Sequence, residues 1–410
     1  MNLNLTLLKN ASQILTMCDS SLGIVSDSGI LFNDKIIAIE KEEELESIVN
    51  SKYPDFPVAV LDAGGGVVMP GFVDSHTHLI FAGSRENEFR MRLEGKKYLE
   101  ILEAGGGIIS TVRATREASS ELLLELGRRR LDTMLRYGTT TVEAKSGYGL
   151  DLETEIKILR VIKHLDEIHP ADVIPTFMGA HAIPPEYRGR KEEYLNFLIK
   201  RVLPEVAEAG LAVFCDIFCE KGVFEVDETR HYLEKAAESG FMLKMHADEI
   251  HDLGGAVLAG ELSAVSADHL GAVGDNGISA LKESGTVATL LPTTLFYLMS
   301  RTYAPARKLL NEGVTVAIAS DFNPGSSFGE SMQMAVTAAL LNMQMTPEEV
   351  LRAATRNGAK ALRLEDRGEL ATGKLADMLI LDAPNYLYFA HHFGVNQVKC
   401  TIKRGQQYWN

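Results

Sequence analysis

Apolar segments and amphipathic stretches alternate along most of the chain. Between residue 67 and about residue 330, an apolar segment, a polar loop and an amphipathic stretch follow one another repeatedly. Most of the apolar segments are continuous rather than alternating, which is typical of parallel strands covered on both faces. The predicted strands span residues 67–73, 139–144, 173–178, 212–218, 242–245, 264–267, 287–291 and 314–319, and predicted helices between them include 120–137, 152–164 and 191–209.

Eight strand–helix units over roughly 250–300 residues predict an α/β fold of the TIM (β/α)8 barrel type. A doubly wound parallel sheet is the competing architecture. Such a sheet does not usually reach eight units, and no Gly-x-Gly-x-x-Gly motif follows the first predicted strand. We therefore expect the carboxyl ends of the eight strands to meet on one face, where TIM barrels carry their active sites.

Both ends of the chain predict a second, smaller domain made of strands. Residues 1–66 contain short apolar segments, two of which are joined by a tight turn at Asn33-Asp34. Strand pattern returns at 373–382 and 399–405, after a helix that Thr346-Pro347-Glu348-Glu349 begins with a capping box. The predicted organisation is a discontinuous β-sandwich domain formed by residues 1–66 and 367–410, with the barrel at 67–366.

Composition and charge limit the class of partner. The chain has 410 residues and a net charge of −15, which disfavours nucleic acid and anionic membranes as partners. No apolar run approaches the ~20 residues of a membrane helix. Four scattered cysteines and the lack of a recognisable signal peptide indicate the cytoplasm. An anionic substrate would need a local cation to overcome the net negative charge.

Histidines at strand ends give the strongest chemical signal. Six of the eleven lie at or just past a predicted strand end: His76, His78, His181, His246, His251 and His269. His76 and His78 are two residues apart, so in an extended chain both side chains leave the same face. A barrel would bring His246 from the fifth strand and Asp321 from the eighth to the same rim. Three imidazoles and one carboxylate suit a single Zn²⁺ or iron ion (Fe²⁺ or Fe³⁺), with a position left for water.

Side chains close to this site could transfer protons. Glu249 follows His246 by three residues, where a carboxylate can carry a proton from the attacking water to a leaving nitrogen. His269 ends the sixth strand and could bond the water or polarise a substrate carbonyl. We therefore expect catalytic roles for Glu249, His269 and Asp321, and the division of acid and base between Glu249 and His269 stays open.

A carboxylate-binding pair is expected beyond the first two strands. Arg85 and Arg90 follow the first strand, and Tyr148 follows the second. One arginine together with the tyrosine hydroxyl would bind the carboxylate of a small anionic substrate. The pattern of residues alone does not choose between Arg85 and Arg90.

Five segments resemble the amidohydrolase superfamily and, within it, the enzymes that open an imidazolone ring in histidine degradation. They are PGFVDSHTH at 70–78, EAKSGYGL at 143–150, MGAH at 178–181, KMHADE at 244–249 and SDFNPG at 320–325. The first is superfamily-wide, whereas the second and the last are particular to this group. The resemblance implies a barrel with a composite β-sandwich, hydrolysis of 4-imidazolone-5-propanoate to N-formimidoyl-L-glutamate, a zinc or iron ion and a homodimer.

The resemblance also implies roles for individual residues. It implies metal ligation by His76, His78, His246 and Asp321. It implies substrate contacts from Arg85, Tyr148, His181, Glu249, Asn323, Gly325 and Ser326. Arg85 is thereby preferred over Arg90.

Other functions match part of the sequence. The segment at 246–249 also resembles that of base deaminases, but a deaminase need not bind the propanoate that Arg85 and Tyr148 suit. An enzyme with two metal ions would want a carboxylated lysine at the end of the fourth strand, where Cys219 and Glu220 stand instead. A non-catalytic metal-binding protein would not need a proton carrier beside the metal.

Overall fold

Three sheets organise the chain. The computed structural model describes residues 5–19, 21–96, 100 and 106–410. Its strands are β1 (Leu5–Lys9), β2 (Gln13–Leu15), β3 (Ile24–Val25), β4 (Ser28–Phe32), β5 (Ile36–Lys41), β6 (Val58–Asp62), β7 (Val67–Pro70), β8 (Phe72–Asp74), β9 (Thr139–Lys145), β10 (Asp172–Ala180), β11 (Phe214–Cys219), β12 (Met242–Ala247), β13 (Ser266–His269), β14 (Val287–Leu290), β15 (Val316–Ile318), β16 (Met378–Leu381), β17 (Val398–Lys403) and β18 (Gln406–Trp409).

Strands β8 to β15 form the barrel. They lie in chain order, and each is parallel to the next. Beyond the carboxyl ends of the first and last of these strands, the backbone N–H of Asp321 donates to His76 O at 3.0 Å, and that of His78 donates to Phe322 O at 2.9 Å. These bonds close the barrel and confirm the predicted TIM fold. They also place His76 and His78 beside Asp321 through the backbone.

The first predicted strand, at 67–73, is divided between two sheets, which corrects the prediction of one continuous strand. β7 pairs with β16 and β2 outside the barrel, whereas β8 pairs with β9 inside it. Gly71 lies at the division, where a Cβ would overlap Thr140 Oγ1. A glycine therefore lets the chain pass close to β9. Hydrophobicity alone could not show the division, since both halves are buried.

The remaining strands form the smaller domain that was predicted from both termini. One sheet has the order β5-β4-β1-β6 and the other β18-β17-β16-β7-β2-β3. Leu8 and Phe32 of the first sheet share a core with Ile380 and Ile402 of the second. The sandwich is thus discontinuous, and the antiparallel pairing of β4 with β5 confirms the hairpin at Asn33-Asp34.

Helices cover the outside of the barrel and extend into the smaller domain. Side chains of Ser119, Asp151 and Thr346 cap helix starts, and Thr346 forms the predicted capping box with Glu349. No helix in the described ranges has the length and apolar character needed to cross a bilayer. The α-helices are Glu42–Lys52, Glu86–Leu93, Ile108–Glu117, Ser120–Arg136, Leu152–Ile168, Lys191–Phe197, Leu203–Glu208, Val226–Glu238, Gly255–Glu261, Asp275–Ser284, Pro292–Tyr297, Ala306–Glu312, Met332–Asn342, Pro347–Ala353, Arg356–Lys360 and Tyr386–His391, with a π-helical turn at Leu198–Val202 and a 3₁₀ turn at Pro185–Tyr187.

Candidate active site

Four buried side chains converge at the carboxyl ends of the barrel strands. His76 and His78 follow β8, His246 lies in β12, and Asp321 follows β15. His246 Nε2 lies 3.4 Å from His78 Nε2. Oδ1 of Asp321 lies 3.5 Å from His76 Nε2 and 3.7 Å from His78 Nε2. The structure therefore brings together all four residues that the sequence offered as metal ligands.

The geometry and the unsatisfied atoms of this cluster fit a metal ion. His76 Nε2 and Asp321 Oδ1 are buried and find no hydrogen-bond partner among the described residues. Ligands at the usual distance from a tetrahedral zinc ion lie about 3.4 Å apart, close to the separations seen here. Burial lowers the pKa of His76 and of His78 well below the usual value, so both imidazoles are neutral and able to ligate.

Outer partners orient the ligands. His76 Nδ1 lies 2.7 Å from Asp268 Oδ2, and His246 Nδ1 lies 2.9 Å from Asp216 Oδ2. A carboxylate at Nδ1 favours the proton on that nitrogen and leaves the Nε2 lone pair for a metal. The Thr294 hydroxyl donates to Asp321 Oδ2 at 2.6 Å, which leaves Oδ1 facing the cluster.

A cavity of about 580 Å³ opens over the cluster. Arg90 does not line it and is instead exposed beside Glu94. His251 also lies outside the cavity lining and pairs with Glu220. All the residues proposed from the sequence for substrate contact, and His269, line the cavity: Arg85, Tyr148, His181, Glu249, His269, Asn323, Gly325 and Ser326.

Glu249 and His269 lie together at the rim of the barrel. Glu249 Oε2 is 3.6 Å from His269 Nδ1. Burial, reinforced by the Asp321 carboxylate, raises the pKa of Glu249 to about 7. Burial lowers the pKa of His269 well below the usual value. A carboxyl group that titrates near neutral pH can both accept and return a proton, whereas His269 stays neutral and can share hydrogen bonds.

Arg85 and Tyr148 line the cavity and can both donate hydrogen bonds into it. Arg85 donates from Nε and Nη2 to the two oxygens of Glu88, at 2.9 and 2.7 Å. A Cβ on Gly325 would overlap Nη1 of Arg85, so a glycine is required there for this arginine position. Burial raises the pKa of Tyr148, which keeps its hydroxyl protonated and able to donate to an anion.

Comparison with known proteins identifies the family. A sequence model described as "Amidohydrolase family" matches residues 67–408. An imidazolonepropionase of Bacillus velezensis is 48% identical over 411 aligned positions, covering 98% of this chain and 96% of the relative. An imidazolonepropionase of Treponema denticola is 53% identical over 348 positions, covering 85% of this chain and 84% of the relative. The chain belongs to the amidohydrolase family and, within it, to the imidazolonepropionases.

A solved structure supports the same fold. The 5-methylcytosine deaminase of Klebsiella pneumoniae, liganded with 5-fluorocytosine, superposes with a TM-score of 0.73 over 98% of this chain and 96% of that protein. Sequence identity is 19%, so this likeness bears on the architecture only. Metal dependence is a property of the amidohydrolase superfamily, and the buried His/Asp cluster agrees with it.

The barrel interior of this amidohydrolase holds charged residues that the sequence reasoning missed. Lys145 Nζ lies 2.9 Å from Glu143 and 2.8 Å from Asp216, and 3.6 Å from Asp268. Lys244 Nζ lies 3.5 Å from Glu143 and 3.8 Å from Asp268. The two lysines thus compensate the carboxylates that orient His76 and His246. The sequence could have indicated these buried ion pairs, because charged residues occur within segments that are otherwise apolar.

Loop-shaping residues were missed as well. Glu155 accepts hydrogen bonds from the backbone N–H groups of Gly147, Gly149 and Leu150, at 3.0, 2.7 and 2.9 Å, and so fixes the loop that carries Tyr148. Asn323, a predicted substrate contact, lines the cavity and also bonds within its own loop. Its side-chain amide donates to Asp321 O and accepts from the N–H groups of Gly325 and Ser326.

Proposed function

We propose that this amidohydrolase hydrolyses the cyclic amide C–N bond of 4-imidazolone-5-propanoate and forms N-formimidoyl-L-glutamate in histidine degradation. The observation that carries the proposal is one cavity that joins the His/Asp cluster to Arg85 and Tyr148. The cluster suits hydrolysis of an amide, and the arginine and tyrosine suit the propanoate. The relatives named imidazolonepropionase support the same substrate.

We propose that His76, His78, His246 and Asp321 hold one zinc or iron ion per chain. When bound, the ion supplies Lewis-acid activation of a water molecule and of the substrate carbonyl. The unsatisfied Nε2 of His76 and Oδ1 of Asp321 support this assignment. Asp268 and Asp216 hold the histidine rings in the tautomer that a cation requires.

Glu249 carries the proton of the reaction. It accepts a proton from the attacking water and delivers it to the ring nitrogen as the C–N bond breaks, which its pKa of about 7 suits. His269 donates a hydrogen bond to the carbonyl oxygen as negative charge develops on it. Asp321 takes part as one of the four residues that would hold the ion, and it lines the same cavity as Glu249 and His269.

Residues from several loops orient the substrate. Arg85 and Tyr148 bind the propanoate, since both line the same cavity and both can donate to a carboxylate. His181 bonds the ring edge with Nε2, because its Nδ1 lies 3.1 Å from Gly147 O. Asn323 holds the backbone of Gly325 and Ser326 at the cavity wall.

The cellular setting of the reaction is also proposed. We infer a homodimer that works in the cytoplasm on a small anionic substrate, without nucleic-acid or membrane partners. The net charge of −15 supports the last point. We retain domains at 1–66, 67–366 and 367–410 as a proposal, although β7 pairs with strands of the smaller domain.

A substrate panel tests this function. Purified protein is mixed with imidazolone propanoate, neutral cyclic amides and aminated bases, and absorbance and ammonia release are followed. We expect rapid loss of imidazolone propanoate and slow or absent turnover of the others. Ammonia release from a base, without loss of imidazolone propanoate, would instead identify a deaminase.

A further inference from the structure

We propose that Arg92 is a second cationic residue of the carboxylate subsite and determines specificity for an anionic substrate. The inference rests on the proposed function and deepens it. Arg92 lies on the helix Glu86–Leu93, seven residues beyond Arg85, and lines the same cavity. Neither the spacing of motifs nor the family resemblance singled it out.

The charges at this end of the cavity do not balance. Arg85 is engaged by the carboxylate of Glu88 through two parallel hydrogen bonds. In the described ranges no ion pair joins Arg92 to a carboxylate. Two guanidinium groups and one carboxylate leave one positive charge, which an incoming propanoate would neutralise. Arg92 thus supplies the local cation that an anionic substrate needs in a chain with a net charge of −15.

Gly325 brings the two arginines together. Arg92 Nη2 donates to Gly325 O at 2.6 Å, while Nη1 of Arg85 lies where a Cβ on Gly325 would be. Both guanidinium groups therefore contact the same residue of the cavity wall. A carboxylate beside Gly325 would be within reach of both, and arginine pairs bind carboxylates through several parallel donors.

The ring of Tyr297 holds Arg92 in place. The guanidinium carbon of Arg92 lies 5.3 Å from the ring centroid of Tyr297, a separation typical of a cation–π contact. Burial lowers the pKa of Arg92, since the charged form loses solvation there. A guanidinium that is partly desolvated and lacks a carboxylate partner gains most from a bound anion.

The test compares a charged ligand with its neutral counterpart. Binding of imidazole-4-propanoate and of its uncharged amide to the metal-containing protein is measured by calorimetry, for the wild type and Arg92→Gln. We expect Arg92→Gln to weaken binding of the carboxylate ligand about 10- to 100-fold and binding of the amide less than about threefold. In turnover of imidazolone propanoate, KM rises while kcat changes little, and Arg92→Lys recovers part of the loss.

Arg90→Gln is the matched control, because Arg90 is on the same helix but exposed and outside the cavity lining. If Arg92→Gln weakened the binding of both ligands equally, Arg92 would only support the Gly325 loop, and the proposal would be overturned. Unchanged affinity for the carboxylate ligand would also overturn it. If the wild type binds the carboxylate ligand through Arg92 but does not hydrolyse imidazolone propanoate, the subsite stands and the proposed reaction fails.

Discussion

At the scale of single residues, burial decides which groups can do chemistry. Glu249 and His269 lie 3.6 Å apart, yet burial raises the pKa of the carboxyl group to about 7 and lowers that of the imidazole. Two neighbouring groups thereby acquire different tasks near neutral pH. The carboxylate can exchange a proton, and the neutral ring can donate or accept hydrogen bonds.

Glu249→Gln should keep the metal and lose hydrolysis. An amide cannot accept the proton of the attacking water, so kcat should fall by about 10²- to 10⁴-fold. In the wild type, kcat/KM should rise with pH through about 7, because only the deprotonated carboxylate of the free enzyme accepts a proton. Steady-state rates across pH and metal analysis provide the test. Asp252→Asn, an exposed acid on the same loop, is the control; full activity in Glu249→Gln would remove Glu249 from the mechanism.

The candidate site was predictable where chemistry follows a strand end. His246 and Asp321 could be predicted as metal ligands because a barrel brings the ends of distant strands together. Asp216 lies inside a strand and Lys145 ends one, but their pairing depends on neighbours across the sheet that one sequence does not reveal. The hydrogen bonds that the Asn323 amide makes within its own loop could not be predicted either, because they depend on how that loop folds.

At the scale of elements, one buried acid fixes the loop after β9. Glu155 lies near the start of the helix Leu152–Ile168 and accepts three backbone hydrogen bonds from the loop that carries Tyr148. Hydrogen bonds to a charged group contribute more than neutral ones. The position of the Tyr148 hydroxyl therefore depends on a helix residue seven positions further along the chain.

Glu155→Gln should loosen the substrate site without affecting the chemistry. Glutamine keeps one acceptor oxygen, but its NH2 group cannot accept a hydrogen bond. Because the backbone N–H groups of the loop now contact both carboxylate oxygens, the loop loses at least one bond. We expect KM for imidazolone propanoate to rise about tenfold or more, with a smaller change in kcat. Glu153→Gln, exposed on the same helix, serves as the control. An unchanged KM in Glu155→Gln would show that this anchor is not needed.

At the scale of the whole molecule, an ion-pair network joins the barrel to the C-terminal strands. Asp172 begins β10 and accepts from Lys403 at 2.8 Å, from Arg404 at 3.0 Å and from Arg367. Burial alone would raise the pKa of Asp172, but Lys403 and Arg367 outweigh it and lower the pKa to about 2. The network therefore stabilises the fold while Asp172 is ionised.

Asp172→Asn should lower stability in a pH-dependent way. Because the pKa is lower in the folded than in the unfolded chain, the contribution is complete above about pH 4 and is lost as pH falls toward about 2. We expect a loss of about 2 kcal/mol near neutral pH, and a difference from wild type that narrows across that window. Unfolding curves at several pH values measure it. Asp382→Asn removes an exposed pair with Lys399 and should have little effect; a pH-independent loss in Asp172→Asn would contradict the linkage.

The overall architecture was more predictable than the connections between the barrel and the smaller domain. Eight buried parallel strands leave a repeated signal that a barrel explains. The sequence gives no sign that the chain passes from one sheet to another between β7 and β8, at Gly71, because both strands are buried. Association of both termini into one sandwich could be anticipated only from strand pattern at each end, and its register depends on contacts between segments more than 300 residues apart, as in the pairing of Val68 with Ile380.

Metal add-back with a hydrolysis readout tests the central claim most directly. The protein is stripped with a chelator, then zinc or ferrous ion is added in steps while hydrolysis of imidazolone propanoate is measured. One nitrogen each of His76, His78 and His246 lies within 4.8 Å of the others, and Asp321 Oδ1 lies 3.5 Å from His76 Nε2. We therefore predict that activity is absent without metal and returns linearly to a maximum at about one ion per chain. Full turnover by metal-free protein, or a requirement for two ions, would contradict the account.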